Sequence, residues 1–298
     1  MTDPVDRSNP SNATTDPRLG DGTAWMDDGP DATTVDADSP LMGLWRDAWV
    51  ATSFLTRLPL HGALIPPAYR DGATIPTLSA SARAFPLAGL AVGIIGALAL
   101  TVASGLGMHP LAAALVGLAS AVLVTGALHE DGLADVADGF GGGATADDKK
   151  DIMRDSRIGT YGVMALVFAV GLRAGALVSF ATPGDAAFAL LGAVVMARAV
   201  LPGVMLLFDS AREDGLGAGA GRPTRDAAVT AAGLGALFGF LFLGFMATVV
   251  ASVLAVVSAY AVAALAKRQI GGITGDVLGA VVVVVELAVL VAAVAVYG

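Results

Sequence analysis

The sequence predicts an all-α, polytopic transmembrane helical bundle of about seven spans, with short cytoplasmic amphipathic helices. Three observations predict it. The 298-residue chain is 55% hydrophobic and only 14% charged, whereas a soluble domain carries roughly 25% charged residues. Apolar stretches of the roughly 20 residues that a spanning helix needs recur along the chain. Lys and Arg gather in alternate loops between those stretches. With no Cys, the chain is not a disulfide scaffold, and its apolar content excludes a chain disordered throughout. The net charge of −9 lacks the basic balance that nucleic-acid binding requires.

Residues 1–40 hold nine Asp against Arg7 and Arg18, which leaves residues 41–298 with a net charge of only −2 out of −9. The segment is rich in Asp, Thr, Pro, Gly and Ser and has few apolar anchors. It is expected to be a disordered acidic tail, because it cannot bury enough apolar surface to offset its ordering entropy. It has neither a basic n-region nor an apolar h-region, so it does not read as a signal peptide. Residues 41–298 then form the integral membrane domain.

Spans are expected at 85–106, 111–128, 160–181 and 187–208. Residues 227–266 run without a charge. As one helix they would extend ~60 Å at 1.5 Å per residue, twice the hydrocarbon thickness. They therefore split into two spans near 246–249, and the last span covers 273–298. With seven spans, Arg46, Arg57, Arg70 and Arg83, then Lys149, Lys150, Arg154 and Arg157, then Arg212, Arg222 and Arg225, then Lys267 and Arg268 all fall on one side. That side is expected to be cytoplasmic by the positive-inside rule. Arg173 and Arg198 lie in or near spans, where a charge is costly and marks a functional candidate by default; for Arg173 the alternative is a snorkelling or helix-paired arginine.

The densest polar feature is His129-Glu130-Asp131-Gly132-Leu133-Ala134-Asp135-Val136-Ala137-Asp138-Gly139, expected to continue the second span at its cytoplasmic end. Asp131, Asp135 and Asp138 fall within about 60° of one helix face at 100° per residue. Like charges so placed repel unless a cation neutralises them, and acidic residues at a helix C-terminus oppose the macrodipole. Oxygen-only ligation suits Mg²⁺, Mn²⁺ or Ca²⁺, so these three Asp are the candidate metal ligands. Gly132 leaves room for a phosphate or sugar to approach the backbone. His129 is a weaker candidate base, since a lone His is more often structural.

Gly139-Phe140-Gly141-Gly142-Gly143 ends this helix, and Asp147 and Asp148 open a short amphipathic helix through Arg154. Arg154 and Arg157 would suit a diphosphate held beside a carboxylate-bound metal. Their alternative role is positive-inside anchoring. The loop 209–225, with Arg212, Glu213 and Asp214 before glycines, would contact a second substrate or close over the site, or is a plain surface loop. Asp276 sits in the first turn of the last span, as a dipole-favoured carboxylate or a contact to a cation or substrate hydroxyl. Walker A, Rossmann, HExxH and GxSxG signatures are absent. Gly89 and Gly93, four residues apart, indicate helix packing.

Phe54-Leu55-Thr56-Arg57-Leu58-Pro59, Phe85-Pro86-Leu87-Ala88-Gly89, the run His129–Gly143, and Ile152-Met153-Arg154-Asp155-Ser156-Arg157-Ile158-Gly159-Thr160-Tyr161-Gly162 resemble the cobalamin synthase (adenosylcobinamide-GDP ribazoletransferase) family. Arg198 with Pro202, Arg212 to Gly217, and Gly272 to Gly279 with Glu286 fit the same pattern, so the resemblance covers about residues 41–298. It implies a multi-pass cell-membrane enzyme with its active site on the cytoplasmic side and Mg²⁺ as cofactor. Such an enzyme joins adenosylcobinamide-GDP to α-ribazole, or to α-ribazole 5′-phosphate, and releases GMP. Asp131, Asp135 and Asp138 would hold the metal. Arg57, Gly132, Arg154, Arg157, Arg198, Arg212, Asp214 and Asp276 would bind substrate. A ribazole 5′-hydroxyl would attack, with Asp155 or one of the helix Asp accepting its proton. Partners are the two substrates and the lipid bilayer, with a homo-oligomer left open and nucleic acid excluded. The competing expectations are a CDP-alcohol-type lipid phosphotransferase and a membrane transporter.

Overall fold

The computed structural model describes residues 40–70, 72, 74–211 and 221–297. Residues 42–298 form one compact unit. The expected acidic tail lies outside the described residues. Among the described residues the secondary structure is helical, apart from one isolated parallel bridge between Ser210 and Ile273.

In chain order the α-helices are α1 (Pro40–Leu55), α2 (Pro67–Arg70), α3 (Phe85–Gly105), α4 (Pro110–Thr125), α5 (Leu128–Gly142), α6 (Ala146–Ile152), α7 (Thr160–Val178), α8 (Pro183–Ala199), α9 (Leu201–Leu207), α10 (Arg225–Ile270) and α11 (Gly275–Tyr297). α3, α7, α8 with α9, α10 and α11 are each long and apolar enough to cross a membrane. The 46-residue α10 contains one residue with non-helical dihedrals, Gly244, at φ 69° and ψ 174°. That kink divides it close to the expected split. The freed Leu243 carbonyl accepts the Tyr297 hydroxyl at 2.7 Å. A Cβ on Gly244 would lie 2.7 Å from that hydroxyl, so both the positive φ and the close approach require glycine there.

The expected second span is corrected. It is not one helix running on into the acidic motif. α4 ends at Gly126 (φ 64°) and Ala127 (φ 62°), and α5 leaves at 90° to it. Gly126 N–H donates to the Leu123 carbonyl at 3.1 Å and Ala127 N–H to Val122 at 2.9 Å, a Schellman-type stop. Glu130 and Asp131 therefore stand in the first turn of their own helix. The dipole argument reverses with them, since a carboxylate there is favoured.

α8 and α11 run through the centre of the bundle, and α7 and α10 lie at its outside. α3 meets α8 at backbone distance, because a Cβ on Gly89 would come within 2.9 Å of the Val194 carbonyl. The second half of α10 presents Ala247, Ala251, Ala255, Ala259 and Ala263 as a buried ridge at four-residue spacing. Large apolar side chains such as Val167, Phe168 and Leu172 on α7 and Leu241, Phe245 and Val253 on α10 are exposed. An apolar exterior on this scale matches lipid rather than water.

Candidate active site

α5 carries the acidic face and is fixed on three sides. Against α11 the backbones touch: a Cβ on Gly132 would lie 2.6 Å from the Asp276 carbonyl oxygen, and one on Gly279 would lie 3.2 Å from His129. The space at Gly132 is thus filled by the Asp276 backbone. This corrects the expectation that it admits a phosphate or sugar. The same contact brings the start of α11 beside Asp131. Gly132→Ala is expected to push the two backbones apart, costing about 1–3 kcal/mol as overpacking. Comparing thermal unfolding and turnover of the variant with the parent checks this.

The far end of α5 is tied to α7 by Asp138. Its carboxylate accepts the Gly159 N–H at 2.7 Å and the Gly162 N–H at 2.9 Å. The α7 N-cap is Gly159, which has no side chain to supply that bond, so a helix twenty residues away supplies it. Charge-assisted caps of this kind are strong. Asp138→Ala is expected to cost about 1–2 kcal/mol of stability, read by thermal unfolding in detergent. Because both Asp138 oxygens accept backbone N–H groups, this residue differs from Asp131, which is exposed, and Asp135, which is half-buried.

Between α5 and α7 lie α6, closed by a Thr145–Asp148 capping box, and the arginine segment. Arg154 pairs with Asp151 at 3.5 Å. Arg157 donates to Asp155 through its side chain at 2.6 Å and its backbone N–H at 3.1 Å. The Arg157 side chain is 87% exposed. Its donors hold the Asp155 carboxyl below the ordinary carboxylate value. A depressed value means that the pair's contribution is in place above the ordinary carboxyl value and is lost as pH falls through the lowered one. Arg157→Ala is expected to move the Asp155 titration upward, which NMR of the labelled carboxyl would follow. A carboxylate made less basic in this way suits aiming Arg157 better than accepting a proton.

Arg57 lies over the α4–α5 bend. Its N–H donates to the Val124 carbonyl at 2.7 Å, and its guanidinium covers Gly126, where a Cβ would collide with Nε. Asp276 is half-buried at the α11 start, and Thr274 Oγ1 donates to it at 3.2 Å. Arg212 and Asp214 lie outside the described residues. The structure therefore gathers Arg57, Asp131, Asp135, Asp138 and Asp276 around α5, with Arg154, Asp155 and Arg157 attached through Asp138.

Arg198 is different. Expected as a substrate contact, it is buried in the bundle and paired with Glu286. Arg173 donates to Glu286 at 2.7 Å and to Glu130 at 3.1 Å. Arg198 also lies 3.4 Å from His129 Nδ1. α5, α7, α8 and α11 thus meet in one buried ionic network that includes Glu130, the residue before Asp131. The network takes up Arg173, Glu130 and His129, which sequence reasoning left open. Its signal was present in the sequence, since opposite charges inside spans must find one another.

The donor chemistry bears on a metal. Among the described residues no three His, Cys, Asp or Glu side chains converge as a ready cluster. Asp131 and Asp135, one turn apart, offer two carboxylates. Mg²⁺ is commonly held by one or two carboxylates with substrate phosphates completing its shell, so this pair fits a cation that arrives with a diphosphate.

The family model for cobalamin-5-phosphate synthase matches residues 47–294. An adenosylcobinamide-GDP ribazoletransferase of Bradyrhizobium diazoefficiens is 48% identical over 78% of this chain and 87% of its own length. Proteins with the same name from Azorhizobium caulinodans and Brucella canis are 45% and 41% identical, over 81% and 84% of this chain and 92% and 96% of their own lengths. No solved structure matches the chain. Matched over nearly all of its membrane domain, the chain belongs to the cobalamin-5-phosphate synthase family.

Proposed function

We propose that the chain joins adenosylcobinamide-GDP to α-ribazole or α-ribazole 5′-phosphate and releases GMP, with Mg²⁺ held at Asp131 and Asp135. The observation that carries this reading is the tether from Asp138 to Gly159 and Gly162. It joins the far end of α5 to the segment that follows Arg154 and Arg157, which supports a site drawing carboxylates for a cation and guanidiniums for a diphosphate from these two neighbouring stretches. When bound, the metal would neutralise charge on the diphosphate as GMP leaves.

The protein's own part is binding and aiming. Arg154 and Arg157 take non-bridging oxygens, and a guanidinium fork suits that task. Asp155 holds Arg157 in place. Asp276 stands where an acceptor hydroxyl would approach the acidic face. An acceptor hydroxyl attacks the phosphorus on the cobinamide side, its proton passes to solvent, and the bond to the GMP oxygen breaks so that GMP leaves with that oxygen. A 5′-phosphorylated acceptor has its 5′-oxygen blocked. A mechanism shared by both acceptors therefore uses a ring hydroxyl of the ribose, in place of the 5′-hydroxyl expected from sequence. Positioning of the two substrates supplies much of the rate. The alternating Lys and Arg loops favour a cytoplasmic site by the positive-inside rule.

The test is to incubate membranes containing the protein with both substrates and follow GMP and the coupled corrinoid by mass spectrometry. Joint appearance of the two products is expected. Absence of both, with the protein folded in the membrane, would overturn the assignment.

A further inference from the structure

Two cavities meet at Phe208, outside the acidic site. One is an apolar slot of about 460 Å³ between α8–α9 and the two halves of α10, walled by Ala199, Gly203, Ala232, Gly235, Ala255 and Ala259. The other, of about 240 Å³, holds polar groups: Asp209, Ser210, Arg222 and Thr274. Phe208 lines both, and its ring packs against Tyr260 at 5.6 Å between centroids with a 57° tilt. Thr274 donates to Asp276, whose backbone abuts Gly132 of α5. The polar cavity thus shares Phe208 with the slot, and its Thr274 is one hydrogen bond from Asp276 at the edge of α5.

We propose that these joined cavities form the acceptor subsite, an inference that rests on the transferase reading above. The flat aromatic base of the ribonucleoside occupies the slot beside Phe208 and Tyr260. Its ribose lies in the polar cavity with a ring hydroxyl toward Asp276 and the acidic face. Arg222 meets the 5′-phosphate when one is present. Its side chain is 58% exposed, and its guanidinium is anchored by the Leu206 carbonyl at 3.0 Å and Asp209 at 3.4 Å.

Size and chemistry select this occupant. The slot runs about 12 Å along α10, from Ala228 to Ala236 and from Ser252 to Tyr260, at 1.5 Å per residue. Its volume is in the range that encloses a drug-sized ligand, and a corrinoid is several times larger. Aromatic faces at the junction favour a planar ring. A phospholipid chain entering from the exposed side at Leu207 and Val256 is the competing occupant. A lipid headgroup, however, would gain nothing from having Asp276 nearby.

The test uses the full-length enzyme in lipid nanodiscs and the series Gly203→Ala, Gly203→Val and Gly203→Leu. A Cβ at Gly203 meets nothing within 4 Å, and Gly203 lines the slot, so the series adds side-chain volume from an open position in its wall. The acceptor KM is expected to climb along the series, to at least tenfold at Leu, with the donor KM within twofold of wild type. Tyr260→Ala is the second variant should Gly203→Leu fail to fold, and it too is expected to raise the acceptor KM. Arg222→Ala is expected to raise the KM for α-ribazole 5′-phosphate about tenfold more than that for α-ribazole. A flat acceptor KM across the series would overturn the proposal. So would loss of co-purifying phospholipid as the only effect. Equilibrium binding of α-ribazole alone to wild type and Gly203→Leu separates the two readings: binding lost in the variant upholds the subsite even if no GMP is formed, whereas equal binding overturns it.

Discussion

Asp131→Asn and Asp135→Asn are each expected to lower kcat/KM for transfer by about 100-fold or more while the chain still folds in the membrane. Even groups that only support a metal ligand typically cost 10–100-fold when replaced, and direct ligands sit at or above that range. Asp131 is exposed and Asp135 only half-buried, so the amide fits without a new cavity, and thermal unfolding should be nearly unchanged. Asp138→Asn separates the two roles of the acidic face. Its loss should appear mainly in stability, because its carboxylate caps α7. Steady-state kinetics beside unfolding of the same three preparations check the contrast.

Glu286→Gln is expected to be the most destabilising single change, by about 3–5 kcal/mol, because removing one partner of a buried ion pair leaves uncompensated charge. Glu286 is 5% exposed and bridges Arg173 and Arg198, each 2% exposed. The variant would leave two buried guanidiniums with Glu130 as the remaining carboxylate in the network. Arg173 also holds Glu130, adjacent to Asp131, so the damage should reach the acidic face. Thermal unfolding in detergent, with Arg173→Met/Glu286→Gln as the coupled double variant, reads the network. The double variant is expected to recover part of the loss, since it removes one of the two uncompensated charges along with the carboxylate.

Most of the bundle was legible because a bilayer imposes one simple rule, an apolar helix of limited length. The split of the long run 227–266 followed from length alone, and Gly244 supplies the break. The bend at Gly126 and Ala127 was hidden because the apolar pattern of α4 runs into the acidic motif without a polar gap. Ala127 in the left-handed region is also a choice that propensity does not announce. The placement of Asp131, Asp135 and Asp138 on one helix was readable from their spacing. What was not readable depends on contacts distant in sequence. Gly132 serves the approach of α11 rather than of a ligand, Asp138 caps a helix made of other residues, and Arg198 turns inward to Glu286.

The most direct measurement is transfer activity in EDTA-treated membranes as Mg²⁺ is restored, for wild type and for Asp135→Asn. No GMP release is expected in EDTA, with full recovery on Mg²⁺ in the wild type and little or no recovery in Asp135→Asn. Undiminished turnover in EDTA, or an Mg²⁺ response that is the same in both proteins, would contradict an Mg²⁺ site at Asp131 and Asp135.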